Sequence, residues 1–140
     1  MLNSRYQACI EACSNCAMAC ETCAASCLRE DDVKMMARCI ELDRDCADIC
    51  ATTGAVLSRQ TGNNVETTRA LLEACRTACK TCGDECASHA EMHEHCKICA
   101  DACRRRHVLR PRPTSPSPSL LTRARVRARW WRRAGRSAAT

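Results

Sequence analysis

Cys9, Cys13, Cys16, Cys20, Cys23 and Cys27 are spaced alternately four and three residues apart, within a stretch, CIEACSNCAMACETCAASC, that contains no glycine, proline or aromatic residue. At about 100° per residue, six side chains so spaced fall in a stripe roughly 80° wide on one face of an α-helix. A bundle helix normally lays leucine along such a stripe. Here the seam that has to be buried is made of thiols.

The seam returns three times. It runs through Cys39, Leu42, Cys46 and Cys50, then Cys75, Cys79, Cys82 and Cys86, then Cys96, Cys99 and Cys103. Breaks fall at LREDDV, where Asp31 or Asp32 can cap a helix, at SRQTGNNVE, where Asn63 and Glu66 resemble a capping box, and near SHAEMHE. The spacing predicts helices over about 4–28, 32–57, 64–89 and from about 92 onward. Four such helices with short connections give an all-α fold, an antiparallel up-down-up-down four-helix bundle with a Cys-lined core. That topology gathers Cys27, Met35, Met36, His89, Met92, His93 and His95 at one pole, with His95 off the stripe. It gathers Val56, Leu57, Val65, Leu71 and Leu72 at the other.

The chain of 140 residues carries sixteen cysteines and no phenylalanine, and its aromatics are Tyr6, Trp130 and Trp131. Cysteine, alanine and methionine must therefore supply most of the buried surface. Residues 1–103 hold ten basic and sixteen acidic side chains, whereas residues 104–140 hold twelve arginines and no acid. The expected organisation is a cysteine-rich bundle over 1–106 and a Pro/Ser/Arg-rich tail over 107–140, to which His107 belongs. No apolar run approaches the ~20 residues of a membrane span, and MLNSRYQACIEAC lacks the marks of a secretory signal. The expected location is the reducing cytoplasm, where dense cysteine favours metal over disulfide.

Two thiols four residues apart on a helix sit about 5–6 Å apart at Cβ, a span that two metal–sulfur bonds of about 2.3 Å bridge. Seven CxxxC pairs are present, and CxxC steps between them let neighbouring pairs share sulfurs. Cu(I) accepts two or three thiolates, and near one monovalent ion per thiolate cancels the buried charge, whereas Zn²⁺ asks for a tetrahedron. The cofactor expected is Cu(I), several ions per chain, on all sixteen cysteines from Cys9 to Cys103. Methionine and histidine at the first pole are weaker soft ligands suited to pass ions inward, and Met36, His89 and His93 each stand three residues from a seam cysteine, Cys39, Cys86 and Cys96. Two rivals are a zinc or mixed soft-metal buffer and a disulfide-braced interaction scaffold. Catalysis lacks a nucleophile with a base and an orienting partner, and the acidic residues are assigned to the outer helix faces.

The body resembles the bacterial cytosolic four-helix-bundle copper storage proteins. The resemblance rests on CIEACSNCAMACETCAASC, CIELDRDCADIC, CRTACKTCGDEC and HEHCKICADAC, and covers residues 1 to about 105. It implies a cytoplasmic homotetramer of bundles that is not an enzyme, copper ions as the partner, storage by the inward cysteines, and a His/Met mouth at Met36, His89, Met92 and His93. No nucleic-acid partner is expected for the body. The chain departs from the family after CADACRR, because the seam positions near 106 and 110 are Arg106 and Arg110 instead of cysteine. Pro111, Pro113, Pro116 and Pro118 follow, so the fourth helix is expected to be short and the pole near Cys9 and Cys75 to lack part of its wall. In the tail, RPRPTSPSPS reads as an extended linker and LLTRARVRARWWRRAGR as a basic stretch able to contact anionic surfaces. The same composition arises when a GC-rich coding sequence is translated in a shifted frame.

Overall fold

The computed structural model describes residues 4–59 and 63–110. Four helices make up the fold: α1 (Ser4–Cys27), α2 (Val33–Arg59), α3 (Val65–His89) and α4 (Glu94–Val108), with no strand among the described residues. Each boundary lies within two residues of its place in the sequence pattern, because the alternating thiol seam marks helix length directly. The linker and basic stretch expected from residue 111 onward lie outside the described residues.

The helices form a four-sided ring in which α1 packs on α2 and α4, and α3 packs on the same two. Cross-contacts give the direction of each. Cys16 meets Cys103 and Cys23 meets Cys96 across α1 and α4, while Cys39 meets Cys86 and Cys50 meets Cys75 across α2 and α3. Partner numbers fall on one helix as they rise on the other, so neighbours are antiparallel. This is the up-down-up-down bundle.

Local chemistry sets the turns. The Asp32 carboxylate accepts the Met35 backbone N–H at 3.3 Å and caps α2. At the start of α3 the capping residue is Asn64, not the Asn63 of the expected box, and the Thr68 hydroxyl donates to its side-chain oxygen at 3.4 Å. The α3–α4 corner has neither glycine nor proline. His93 turns the chain there with an extended backbone (φ −132°), which delays α4 to Glu94. Gly83 permits a close approach further along: a Cβ on it would stand 3.1 Å from the Cβ of Cys103, so α3 and α4 meet there without a side chain between them.

All sixteen cysteines are buried and all are free thiols. Leu57 and Leu72 close one pole, whereas Val56, Val65 and Leu71 are half-buried. Exposed pairs such as Arg38–Glu85 (2.9 Å) and Lys80–Asp84 (2.6 Å) lie outside this core, where a salt bridge adds at most about 1 kcal/mol.

The geometry corrects three expectations. The seam of α2 passes through Asp43, which is fully buried, while Leu42 packs at the core's edge. Hence the acidic residues are not all on outer faces. The α2 spacing from Cys39 through Asp43 and Cys46 to Cys50 is four, three, four, the rhythm of α1 and α3. His107 is not tail: it lies in α4, with its Nδ1 3.2 Å from the Arg76 carbonyl and its own carbonyl accepting from Arg76 Nε at 3.3 Å. Finally, the wall near Cys9 and Cys75 is not open, since Arg106 turns inward and is fully buried there.

Candidate metal centre

Because each helix contributes one stripe, the thiols meet along the bundle axis as a column. Cys16 Sγ lies 3.9 Å from Cys20, 3.8 Å from Cys46, 3.8 Å from Cys79 and 3.6 Å from Cys103, so all four helices converge on one sulfur. Next along the axis, Cys50 lies 3.4 Å from Cys79 and 3.6 Å from Cys75. Toward the other pole Cys99 lies 3.6 Å from Cys20, and Cys39 3.5 Å from Cys86. A disulfide needs about 2.05 Å, and these sulfurs are in van der Waals contact as thiols. Three sulfurs around one ion at about 2.3 Å stand roughly 4 Å apart, so the column needs little adjustment to take metal.

Several sets of donor atoms lie within 4.8 Å of one another: Cys16/Cys20/Cys46/Cys103, Cys16/Cys46/Cys50/Cys79, Cys20/Cys82/Cys99/Cys103, Cys23/Cys27/Cys39/Cys96 and Cys23/Asp43/Cys86/Cys99. Cys16, Cys20, Cys23, Cys46, Cys99 and Cys103 each belong to two sets. Shared sulfurs make this a chain of bridged positions, not a row of separate tetrahedra. Such sharing suits a soft monovalent ion.

Asp43 interrupts the sulfur column. Its Oδ1 accepts from Cys82 at 3.1 Å, Cys99 at 3.2 Å and Cys86 at 3.3 Å, and its Oδ2 from Cys39 at 3.7 Å. Burial, and then the charge of Cys99, pushes its carboxyl up to about 8. It is the one oxygen donor among the clusters above. Thiols respond to the same dry surroundings: burial first, then the charge of Cys39, pushes Cys27 up to about 12. Without metal, most of the column holds its protons and packs as small apolar groups.

At the pole where α1 ends and α4 begins, His95 faces the thiols. Its Nδ1 stands 3.5 Å from both Cys23 and Cys96 and 3.9 Å from Cys27, and its Nε2 stands 2.9 Å from Glu30 Oε1. Donation from Nε2–H to that carboxylate leaves the Nδ1 lone pair aimed at the sulfurs, the arrangement that orients a ligating histidine. Hydrogen bonding to His95, followed by the charge of His93, holds Glu30 below the usual carboxylate range. His93 Nδ1 shares the same oxygen at 3.1 Å, with the two rings 5.3 Å apart.

The remaining mouth residues are placed less uniformly. Met36 is buried one turn before Cys39, and half-buried His89 lies 3.4 Å from Glu85. Met92 is 68% exposed, as Met35 is at 61%, so neither thioether joins the thiols. The seam rhythm does not reach Met92, because α4 starts after it. Sequence reasoning missed Asp43 and His95. Asp43 was legible in the four-three-four spacing, and His95 lies four residues before Cys99, beside the seam.

Comparison with known proteins comes to the same chemistry. A family model described as "Csp: Copper storage protein" matches residues 2–108. A cysteine-rich protein of Bacillus subtilis (strain 168), YhjQ, described as uncharacterized, is 43% identical over 96 residues, 69% of this chain and 83% of that protein. A cytosolic copper storage protein from Streptomyces lividans, solved with five coppers, is 54% identical at a TM-score of 0.72, covering 74% of this chain and 86% of that one. The Cu(I)-bound copper storage protein BsCsp3 is 35% identical at a TM-score of 0.68, covering 79% and 100%.

Proposed function

The chain belongs to the copper storage protein family, and from that membership and the geometry of its core we propose that it stores multiple Cu(I) ions on the sixteen cysteines lining the bundle axis. One observation carries the reading. Sulfurs from all four helices stand 3.4–3.9 Å apart in a buried column with shared members. Each entering ion displaces protons from thiols and leaves a neutral copper–thiolate unit, which a dry interior tolerates far better than free thiolates. Divalent zinc asks for a tetrahedron of four ligands, and a four-thiolate site would leave net negative charge in the dry core.

Roles divide along the axis. Cys23, Cys27, Cys39 and Cys96 with His95 Nδ1 form the outermost cluster, and His89, His93 and Met36 stand around the approach to it. Imidazole and thioether hold Cu(I) less tightly than thiolate, so ions pass inward toward stronger donors. Asp43 offers a carboxylate oxygen at the level of Cys82, Cys86 and Cys99. Storage in this form involves no turnover. Cytoplasmic location is supported by the description of the Streptomyces relative as cytosolic. No helix among the described residues is long and apolar enough to cross a membrane. A homotetramer is part of the proposal, supported by the exposed apolar side chains of Met18 and Ile98.

The test is an anaerobic Cu(I) titration of the reduced chain against a competing chelator, with a parallel Zn²⁺ titration. The expected capacity approaches the count of sixteen cysteines, with zinc bound in smaller number and displaced by Cu(I). Saturation at one or two copper ions per chain would contradict the proposal.

A further inference from the structure

The column ends at a cation. Arg106 occupies the seam position of α4 three residues after Cys103, and its side chain is fully buried. Its Nε donates to Cys13 Sγ at 2.9 Å and its Nη1 to the Leu109 carbonyl at 3.3 Å, while its Nη2 is buried with no hydrogen-bond partner. Cys9 and Cys75 are close enough, with Cys13, for their charge to act on it. A guanidinium cannot shed its proton in a protein, so this end of the core carries a permanent positive charge. Such a charge is costly to bury unless negative charge faces it. The groups that can supply it here are sulfurs.

We propose that Arg106 is a resident cation standing where the terminal copper of the column would otherwise be, so that the Cys9/Cys13/Cys75 end loads last and the chain holds one Cu(I) fewer than its thiolates would neutralise.

Charge balance is the first reason. A copper ion at each thiolate leaves a neutral core, and a guanidinium already in place supplies one of those charges, so a further ion beside it would leave net positive charge in a dry site. Geometry is the second. The Nε–H of Arg106 points at the Cys13 sulfur and covers the side of it that an ion bridging toward α4 would use. Approach is the third. The outer side of Arg106 lines a cavity of about 240 Å³ together with Arg69, Arg76 and Arg110, which outnumber the one carboxylate there, Glu73, so the rim repels a cation arriving from this pole. Filling therefore starts at the histidine pole and stops at the guanidinium.

This inference rests on the copper-storage reading, and the experiment separates the two. Wild type, R106M and R106K are titrated anaerobically with Cu(I) against a chelator, and the fold of each is checked by circular dichroism. R106M is expected to saturate about one copper per chain higher and to hold its last equivalents at least about tenfold more tightly, a difference of ~1.4 kcal/mol. R106K keeps the charge and is expected to stay at wild-type capacity. Equal, non-zero capacities and chelator curves for wild type and R106M overturn the inference, as does a gain in R106K equal to that in R106M. No copper bound by any of the three would overturn the storage reading instead. If R106M does not fold, copper-edge anomalous diffraction from wild type at half saturation decides the matter. The expected map has no copper within bonding distance of Cys13 Sγ, and a peak there overturns the inference.

Discussion

Loading the reduced, metal-free chain with Cu(I) under anaerobic conditions is expected to raise its midpoint of thermal unfolding by several tens of degrees. Before loading, the bundle is held by small side chains: cysteines and alanines with Tyr6, Met36, Leu57 and Leu72 as the largest apolar members of the core. Such a core buries little apolar area per residue, so the starting stability is low. Each ion that binds the folded column at a thousandfold excess over its dissociation constant adds about 4 kcal/mol, and many ions bind. Cysteines in the unfolded chain also bind copper, which takes back part of the gain. What they lack is the shared bridging across helices, as at Cys16, which touches sulfurs of α2, α3 and α4 at once. For a domain of this size each kcal/mol moves the midpoint by roughly 4–8 °C, so even a few surviving increments produce a large shift. Calorimetry or circular dichroism measures it. A rise of only a few degrees at saturation would mean that the ions sit outside the column.

Asp43→Asn is expected to remove most of the pH dependence of the metal-free chain's stability. The wild-type carboxyl is pushed up to about 8 by burial and then by the charge of Cys99, whereas in the unfolded chain it titrates near 3.9. Between those values the folded state keeps a proton that the unfolded chain has released. The contribution is therefore fully present below about pH 4 and is lost as pH rises through about 8. Asparagine keeps the oxygen that accepts from Cys82, Cys86 and Cys99 and never ionises. At pH 8.5 the variant is expected to exceed wild type by roughly 4–6 kcal/mol in denaturant unfolding, with the two converging only near pH 4. Cysteine ionisation contributes to both profiles, and their difference reads Asp43 together with the thiols it faces, Cys39, Cys82, Cys86 and Cys99. Parallel pH profiles for the two would show that Asp43 keeps its charge in the fold.

Most of the fold was legible because its seam is written in one residue type. A four-three alternation of cysteine marks the helices, their inward faces and, through the short connections, their antiparallel order. What escaped the pattern was polar. Asp43 obeys the rhythm of its helix, yet a carboxylate is assigned to the outside by default. It is tolerated inside because thiols, unlike leucines, offer it several weak hydrogen bonds. His95 reaches the thiols from beside the seam, and its orientation depends on Glu30, 65 residues earlier in the chain. Only the packed turns bring those two together. Met92 was placed by the pole that the topology gathers and by the family resemblance, and it stands before the first residue of α4 with its side chain exposed. Arg106 was visible as a cysteine position lost, but its inward turn was not, since an arginine on a helix usually reaches outward.

The central claim is that copper is held by sulfur in the interior of the bundle, and X-ray absorption at the copper edge of the loaded chain tests it most directly. The account predicts Cu(I) with a first shell of sulfur at about 2.3 Å and copper neighbours beyond it, from low loading up to saturation. A first shell dominated by nitrogen or oxygen, or isolated ions with no copper neighbour at saturation, would contradict it.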